Sequence, residues 1–139
     1  MKNTRKTLKI LLSALVAAST LLTLFSCKDN KDKKYTVGIC QLVKHDALDA
    51  ATKGFKDALV AELGEGNVEF IEQNGQNDIH VCSTVINDFV TKRVDLILAN
   101  ATAPLQAAAN TTLTIPILGT SITEYGTALS IKDFNGTVG

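Results

Sequence analysis

A chain of 139 residues with 45% hydrophobic content holds enough apolar material for one α/β core and too little for two. Lysine and arginine number 14, as do aspartate and glutamate. No basic surplus therefore marks the chain as a partner of nucleic acid.

The first segment cannot belong to the core. MKNTRKTLK carries four cations and no acid, and ILLSALVAASTLLTLF is an unbroken apolar run. A charged start, an apolar middle too short for a stable span with these flanks, and a small residue at the cut together predict an export signal over residues 1–26. Removing it leaves 10 cations against 14 acids, a net charge of −4, which again argues against nucleic acid. The run closes on Leu24-Phe25-Ser26-Cys27, which resembles the lipobox of bacterial lipoproteins. That resemblance implies acylation of Cys27 and an extracytoplasmic chain held to the membrane by its N-terminal lipid. An uncleaved anchor or a signal without lipid is the alternative, and either keeps the domain outside the cytoplasm. Residues 27–34 are charged and lack large apolar side chains, so they read as a flexible tether.

The domain begins at Tyr35, and from there the pattern alternates. YTVGICQLV is β-branched and apolar and predicts a strand. Asp46 to Leu63 repeats Leu48, Ala51, Phe55, Ala58, Leu59 and Leu63 at helical spacing, with Asp46 as cap, Asp49 in capping-box position, and Gly64 and Gly66 as terminators. NVEFIEQN predicts a second strand, and Asp78 to Lys92 a helix whose Val81/Cys82, Val85/Ile86 and Phe89/Val90 pairs recur along one face. VDLILAN is apolar enough for a strand covered on both sides. Thr102-Ala103-Pro104 offers a cap and an early proline to a short helix through Ala109, and IPILGTS a fourth strand. EYGTALSIKDFNGTVG suggests a helical turn and the start of another strand. Alternating strands and helices predict an open parallel sheet with right-handed crossovers.

In such a sheet ligands bind past the carboxyl ends of the strands. Those ends carry Gln41 and Lys44-His45-Asp46, then Asn74 to Asn77, then Asn100-Ala101-Thr102, then Thr120 to Thr123. Neutral donors and acceptors beside helix N-termini suit a small polar ligand, above all one with a carboxylate. The plainer alternative is that Asp46, Asp78 and Thr102 cap helices and the asparagines fill turns. Four ends with one chemistry on one edge favour a site.

Catalysis finds little support. The chain has no GxxxxGK[ST], no His/Cys/acid cluster at metal-ligand spacing, and an asparagine, Asn100, where a phospho-receiver needs an acid. Cys40 lies near His45 in sequence, but strand alternation puts it on the face opposite Gln41, under a covering helix, where a reactive thiolate is disfavoured. Cys40 and Cys82 read as buried free thiols, with a disulfide left open. No enzyme, cofactor or metal is expected.

YTVGICQLVKHDALDAATKGFKDAL, VEFIEQNGQND, VDLILANATAPLQAAA and IPILGTSITEY resemble the N-terminal lobe of ABC-transporter substrate-binding lipoproteins of the type that includes tryptophan-binding proteins. The matching blocks are Q-x-x-x-H-x-A-L-D, Q-N-x-Q, A-N-A-T-x-x-L-Q and I-P-I-L-G-T-S-x-T. The resemblance implies two flavodoxin-like lobes of the type I periplasmic-binding-protein fold, closing on an amino acid, often aromatic or branched, and docking on a membrane permease. A sugar- or nucleoside-binding lipoprotein of the same fold, or a chemoreceptor input, is the alternative. Carried over, the blocks imply ligand-binding roles for Gln41, His45, Asn74, Gln76, Asn100, Ala101, Thr102, Thr120, Ser121 and Thr123. Thr102 and Ser121 are expected at a carboxylate, Asn100 or Gln41 at an ammonium, and His45 or Tyr125 against a side chain. Members of the family carry a second lobe of comparable size, so residues 35–139 are expected to be a truncated N-terminal lobe without the opposite cleft wall.

Overall fold

A computed structural model of the chain describes residues 34–131. The export signal, Cys27 and residues 28–33 of the tether lie outside the described residues, as do residues 132–139. Among the described residues the order is β1 (Tyr35–Gln41), α1 (Asp46–Leu63), β2 (Val68–Asn74), α2 (Ile79–Lys92), β3 (Leu96–Asn100), α3 (Thr102–Thr111), β4 (Ile117–Thr120) and α4 (Tyr125–Leu129). All strand pairs are parallel, in the order β2-β1-β3-β4. This is the open α/β sheet that the alternation predicts.

Strand alternation sorts the core into two faces. Val37, Ile39, Val68 and Leu98 point to one side and pack under Phe55, Leu59 and Leu63 of α1. Cys40 and Ile97 point to the other and meet Cys82, Val85, Ile86 and Phe89 of α2 with Ala107 and Ala108 of α3. Each large aliphatic or aromatic side chain buried in these layers contributes about 1.5–3 kcal/mol. β4 is less well covered: Leu118, paired with Leu98 across the sheet, is 46% exposed.

The helix ends differ in detail from the sequence expectations. α1 spans the predicted range, but its cap is His45, whose Nδ1 accepts from the Ala47 amide at 3.2 Å, in place of Asp46. Asp49 does not close a capping box; its carboxylate accepts from Gln41 instead. Asp78 caps α2 by accepting from the His80 amide at 2.7 Å. Thr102 is the first residue of α3 and does not cap it; Ala101 occupies the cap position, and no side chain bonds to the helix start. α3 also runs two residues past Ala109, to Thr111. α1 ends at Gly64, whose φ of 89° lies in the region that glycine enters without steric cost. Glu124 caps α4 by accepting from the Thr127 and Gly126 amides, and Thr127, then Gly126, hold its carboxyl below the usual range.

Cys40 and Cys82 are both fully buried and free, and both lie in the layer between β1 and α2. Burial, then the neighbouring Cys82, push Cys40 well above the ordinary thiol range, and burial also raises Cys82. Maleimide treatment of the folded chain at pH 8, read by peptide mapping, should leave Cys40 and Cys82 unmodified, with both reacting in denaturant. Gly38 sits in the same layer, and an added Cβ there would lie 2.6 Å from the Phe89 ring. Gly38→Ala is therefore expected to cost about 1–3 kcal/mol in urea unfolding.

Candidate functional site

The parallel register places the four strand ends in one row. Gln41 pairs with Asn74 on one side and Asn100 on the other, and Asn100 pairs with Thr120. At about 4.8 Å per strand the row spans roughly 14 Å, the scale of one amino acid with its side chain. Backbone hydrogen bonds continue the pairing into the loops. Gly75 N donates to Gln41 O at 2.7 Å, Leu42 N to Asn100 O at 3.1 Å, and Ala101 N to Thr120 O at 3.0 Å. Because β1 lies between β2 and β3, the loops after β1 and β3 leave toward opposite faces, the switch point at which open α/β sheets take their ligands.

Side chains in this row fall into two groups. Gln41 and Asn100 continue the inward rows of β1 and β3 beneath α1. Gln41 Nε2 donates to Asp49 Oδ1 at 2.6 Å and Val43 O at 2.9 Å, while its Oε1 accepts from Thr52 Oγ1 at 2.7 Å. Asn100 is fully buried, and its Nδ2 donates to Leu48 O at 2.8 Å and Thr52 Oγ1 at 2.9 Å. Both amide nitrogens are thus engaged by partners beneath α1. Asn100 Oδ1 is the buried side-chain polar atom without a partner among the described residues.

The second group faces out. His45, Asn74, Gln76, Ser121 and Thr123 are exposed, and Thr102 and Thr120 are half-buried. Asn74 Oδ1 accepts from the Gln76 amide at 2.7 Å and so shapes its own loop. Tyr125, expected against a ligand side chain, instead donates its hydroxyl to Gly119 O at 2.6 Å, its ring on the space a Gly119 Cβ would fill.

Backbone strain gathers on the same edge. Among the described non-glycine residues with positive φ, Arg93 and Ser130 are helix C-caps, while Gln76 (52°), Asn77 (59°), Ala101 (108°) and Ser121 (58°) all follow strand ends. Ala101, at φ 108° and ψ 169°, occupies a region that is essentially glycine's, at a cost of about 1–3 kcal/mol. Such strain concentrates at ligand sites and switch regions. At Ala101 it coincides with the uncapped start of α3, whose first-turn amides have no intrahelical acceptor and carry the positive end of the dipole.

A groove of about 510 Å³ lies beside the row, between α1 and the edge strand β2, lined by Lys44, Asp49, Lys53, Lys56, Asp57 and Glu72 together with Gln41, Thr52 and Asn74. Its charges are largely paired: Lys53 binds Asp57, and Lys56 binds Glu72 at 2.9 Å. None of its walls comes from β3, β4 or α3. Among the described residues no three His, Cys, Asp or Glu side chains gather as metal ligands.

Residues 36–138 match the ABC transporter substrate binding protein family. The chain belongs to that family, whose members are binding proteins and not enzymes. It is 39% identical over 116 residues to a tyrosine-binding protein of Clostridioides difficile, a match that covers 80% of this chain and 34% of the relative. Among solved structures it resembles a ligand-free, open substrate-binding protein with adhesive properties from Clostridium difficile, at 40% identity and a TM-score of 0.65 over 68% of this chain and 32% of that one. It also resembles an ABC domain from Streptococcus pneumonia in complex with L-Trp, at 28% identity and a TM-score of 0.65 over 69% of this chain and 33% of that one. The chain thus spans about a third of the length of the relatives it matches.

Sequence reasoning missed Thr52, the one wholly buried residue of α1. The signal was present: Thr52 follows Leu48 by four residues and precedes Phe55 by three, so a polar side chain sits in the apolar stripe. Ala101→Gly should relieve the strain at the α3 start and, net of the greater chain entropy of glycine, raise the stability measured by urea unfolding by about 1 kcal/mol.

Proposed function

We propose that this chain forms one wall of an amino-acid site in the lipid-anchored, extracytoplasmic binding component of an ABC importer, with an aromatic amino acid as ligand. The observation that carries the reading is the uncapped start of α3, centred in a row of four strand ends at the sheet's switch point. In this reading the amides of Thr102 and Ala103, with the Thr102 and Ser121 hydroxyls, receive the ligand carboxylate, because a helix N-terminus favours negative charge. Gln76, Asn74 and His45 flank the other end of the row, and Thr120 and Thr123 the near end. A tyrosine-binding relative and a tryptophan-bound structural neighbour support the aromatic class. A second lobe supplies the facing wall in this reading, and a membrane permease receives the loaded protein.

Binding to one wall alone forgoes most of the desolvation that tightens a closed site. Titrating the isotope-labelled chain with L-tyrosine or L-tryptophan should shift the amide resonances of residues 75–77, 101–103 and 121–123, with a Kd on the order of 1 mM. Sugars and nucleosides should leave them in place. Shifts confined to the α1–β2 groove, or none with any amino acid, count against the site.

The lipid anchor rests on the sequence around Cys27. In a bacterial host the chain should partition into the detergent phase of a membrane extract, and Cys27→Ser should move it to the aqueous phase. Detergent-phase recovery of Cys27→Ser would mean that something other than the acylated thiol holds the chain to the membrane.

A further inference from the structure

The buried hydroxyl of Thr52 is more than a packing atom. It donates to Gln41 Oε1 at 2.7 Å and accepts from Asn100 Nδ2 at 2.9 Å, so a single α1 side chain joins the last residues of β1 and β3. Asp49, one turn earlier, takes Gln41 Nε2 at 2.6 Å, and the Leu48 carbonyl takes Asn100 Nδ2 at 2.8 Å. A hydroxyl buried on an apolar stripe is costly unless its bonds are made, and here they are made to the two strands that flank the switch point.

Asn100 is followed directly by Ala101. The Ala101 conformation is disfavoured for any residue with a Cβ, and such a conformation persists only where the surroundings over-determine it. Three restraints act on it: Ala101 N donates to Thr120 O at 3.0 Å, Ala101 O accepts from Leu105 N at 3.2 Å, and the preceding Asn100 side chain is fixed under α1. Rotation of Ala101 to an ordinary φ would swing the Thr102 and Ala103 amides away from the row of strand ends. We propose that Thr52 is a positioning residue: through Asn100 and Gln41 it holds Ala101 in its strained conformation and so aims the start of α3 at the ligand. This rests on the ligand reading given above for its consequence, though not for its mechanism.

Three variants of the full chain test the inference, each read by thermal unfolding, by amide hydrogen exchange and by titration with L-tyrosine and L-tryptophan. Thr52→Val keeps the shape and removes the hydroxyl; Thr52→Ser keeps the hydroxyl; Thr52→Ala repeats the loss without the added methyl, should the valine variant not fold. Loss of the hydroxyl should speed exchange at Leu42 and Ala101 about tenfold relative to Gly64 and Arg93, at the C-terminal ends of α1 and α2, and weaken the amino acid about tenfold. Thr52→Ser should restore both. A merely structural role would lower the unfolding temperature and raise exchange evenly, with the affinity of the folded protein unchanged, and that outcome overturns the proposal. Equal behaviour of the valine and serine variants overturns it as well. A parent chain that ignores amino acids, while Thr52→Val still loosens Leu42 and Ala101 selectively, upholds the positioning and removes the ligand reading instead.

Discussion

The parallel pairing of β1 with both β2 and β3 is the constraint from which the rest of the structure follows. Given right-handed crossovers, a central first strand sends α1 to one face and α2 and α3 to the other. Two neighbouring loops must then part at the Gln41–Asn100 junction. Polar groups are needed at that junction, because backbone amides and carbonyls just past the last ladder bond require partners. The Leu42–Asn100 and Gly75–Gln41 backbone bonds supply some, and the side-chain network beneath α1 fixes the rest.

That network is the most polar part of an otherwise apolar α1 face. Buried amides and hydroxyls cost more when unpaired than they return when paired, so a network of this kind specifies one arrangement of the strand ends more than it adds to net stability. Thr52, Gln41 and Asn100 meet the requirement almost completely, with Asn100 Oδ1 the exception. The opposite face works differently. There Cys40, Cys82, Phe89 and the small residues of α3 form an apolar layer, and glycines at 38 and 75 make room for Phe89 and Cys82.

Much of this was legible in the sequence. Helical spacing gave α1 its limits, alternation put Cys40 beneath a helix, and the polar strand ends picked out the residues that the register draws into one row. What escaped were choices between neighbours of similar chemistry. Asp46 and His45 both suit a cap, and only the chain's path after Val43 decides for His45. Thr102 has the hydroxyl of a cap, but Ala101 holds the position because Ala101 N is drawn to Thr120. Strand parity showed that Gln41 opposes Cys40; it could not show that Gln41 and Asn100 would meet through Thr52, since that depends on which turn of α1 crosses the strand ends. Tyr125 turned inward for a similar reason, its hydroxyl finding the Gly119 carbonyl on the less covered edge strand.

The separation of inward and outward groups along the strand-end row bears on which positions of the chain tolerate change. Gln41, Thr52 and Asn100 are bound to one another, so a substitution in any of them disturbs the frame. The side chains of Gln76, Ser121 and Thr123 are exposed on the loops and lie outside that network, although Gln76 and Ser121 hold a positive φ that bulky or β-branched replacements resist. Neighbouring positions in the chain thus differ in mutational tolerance: a single exchange at Thr123 touches one exposed side chain, whereas a single exchange at Thr52 loosens two strands at once.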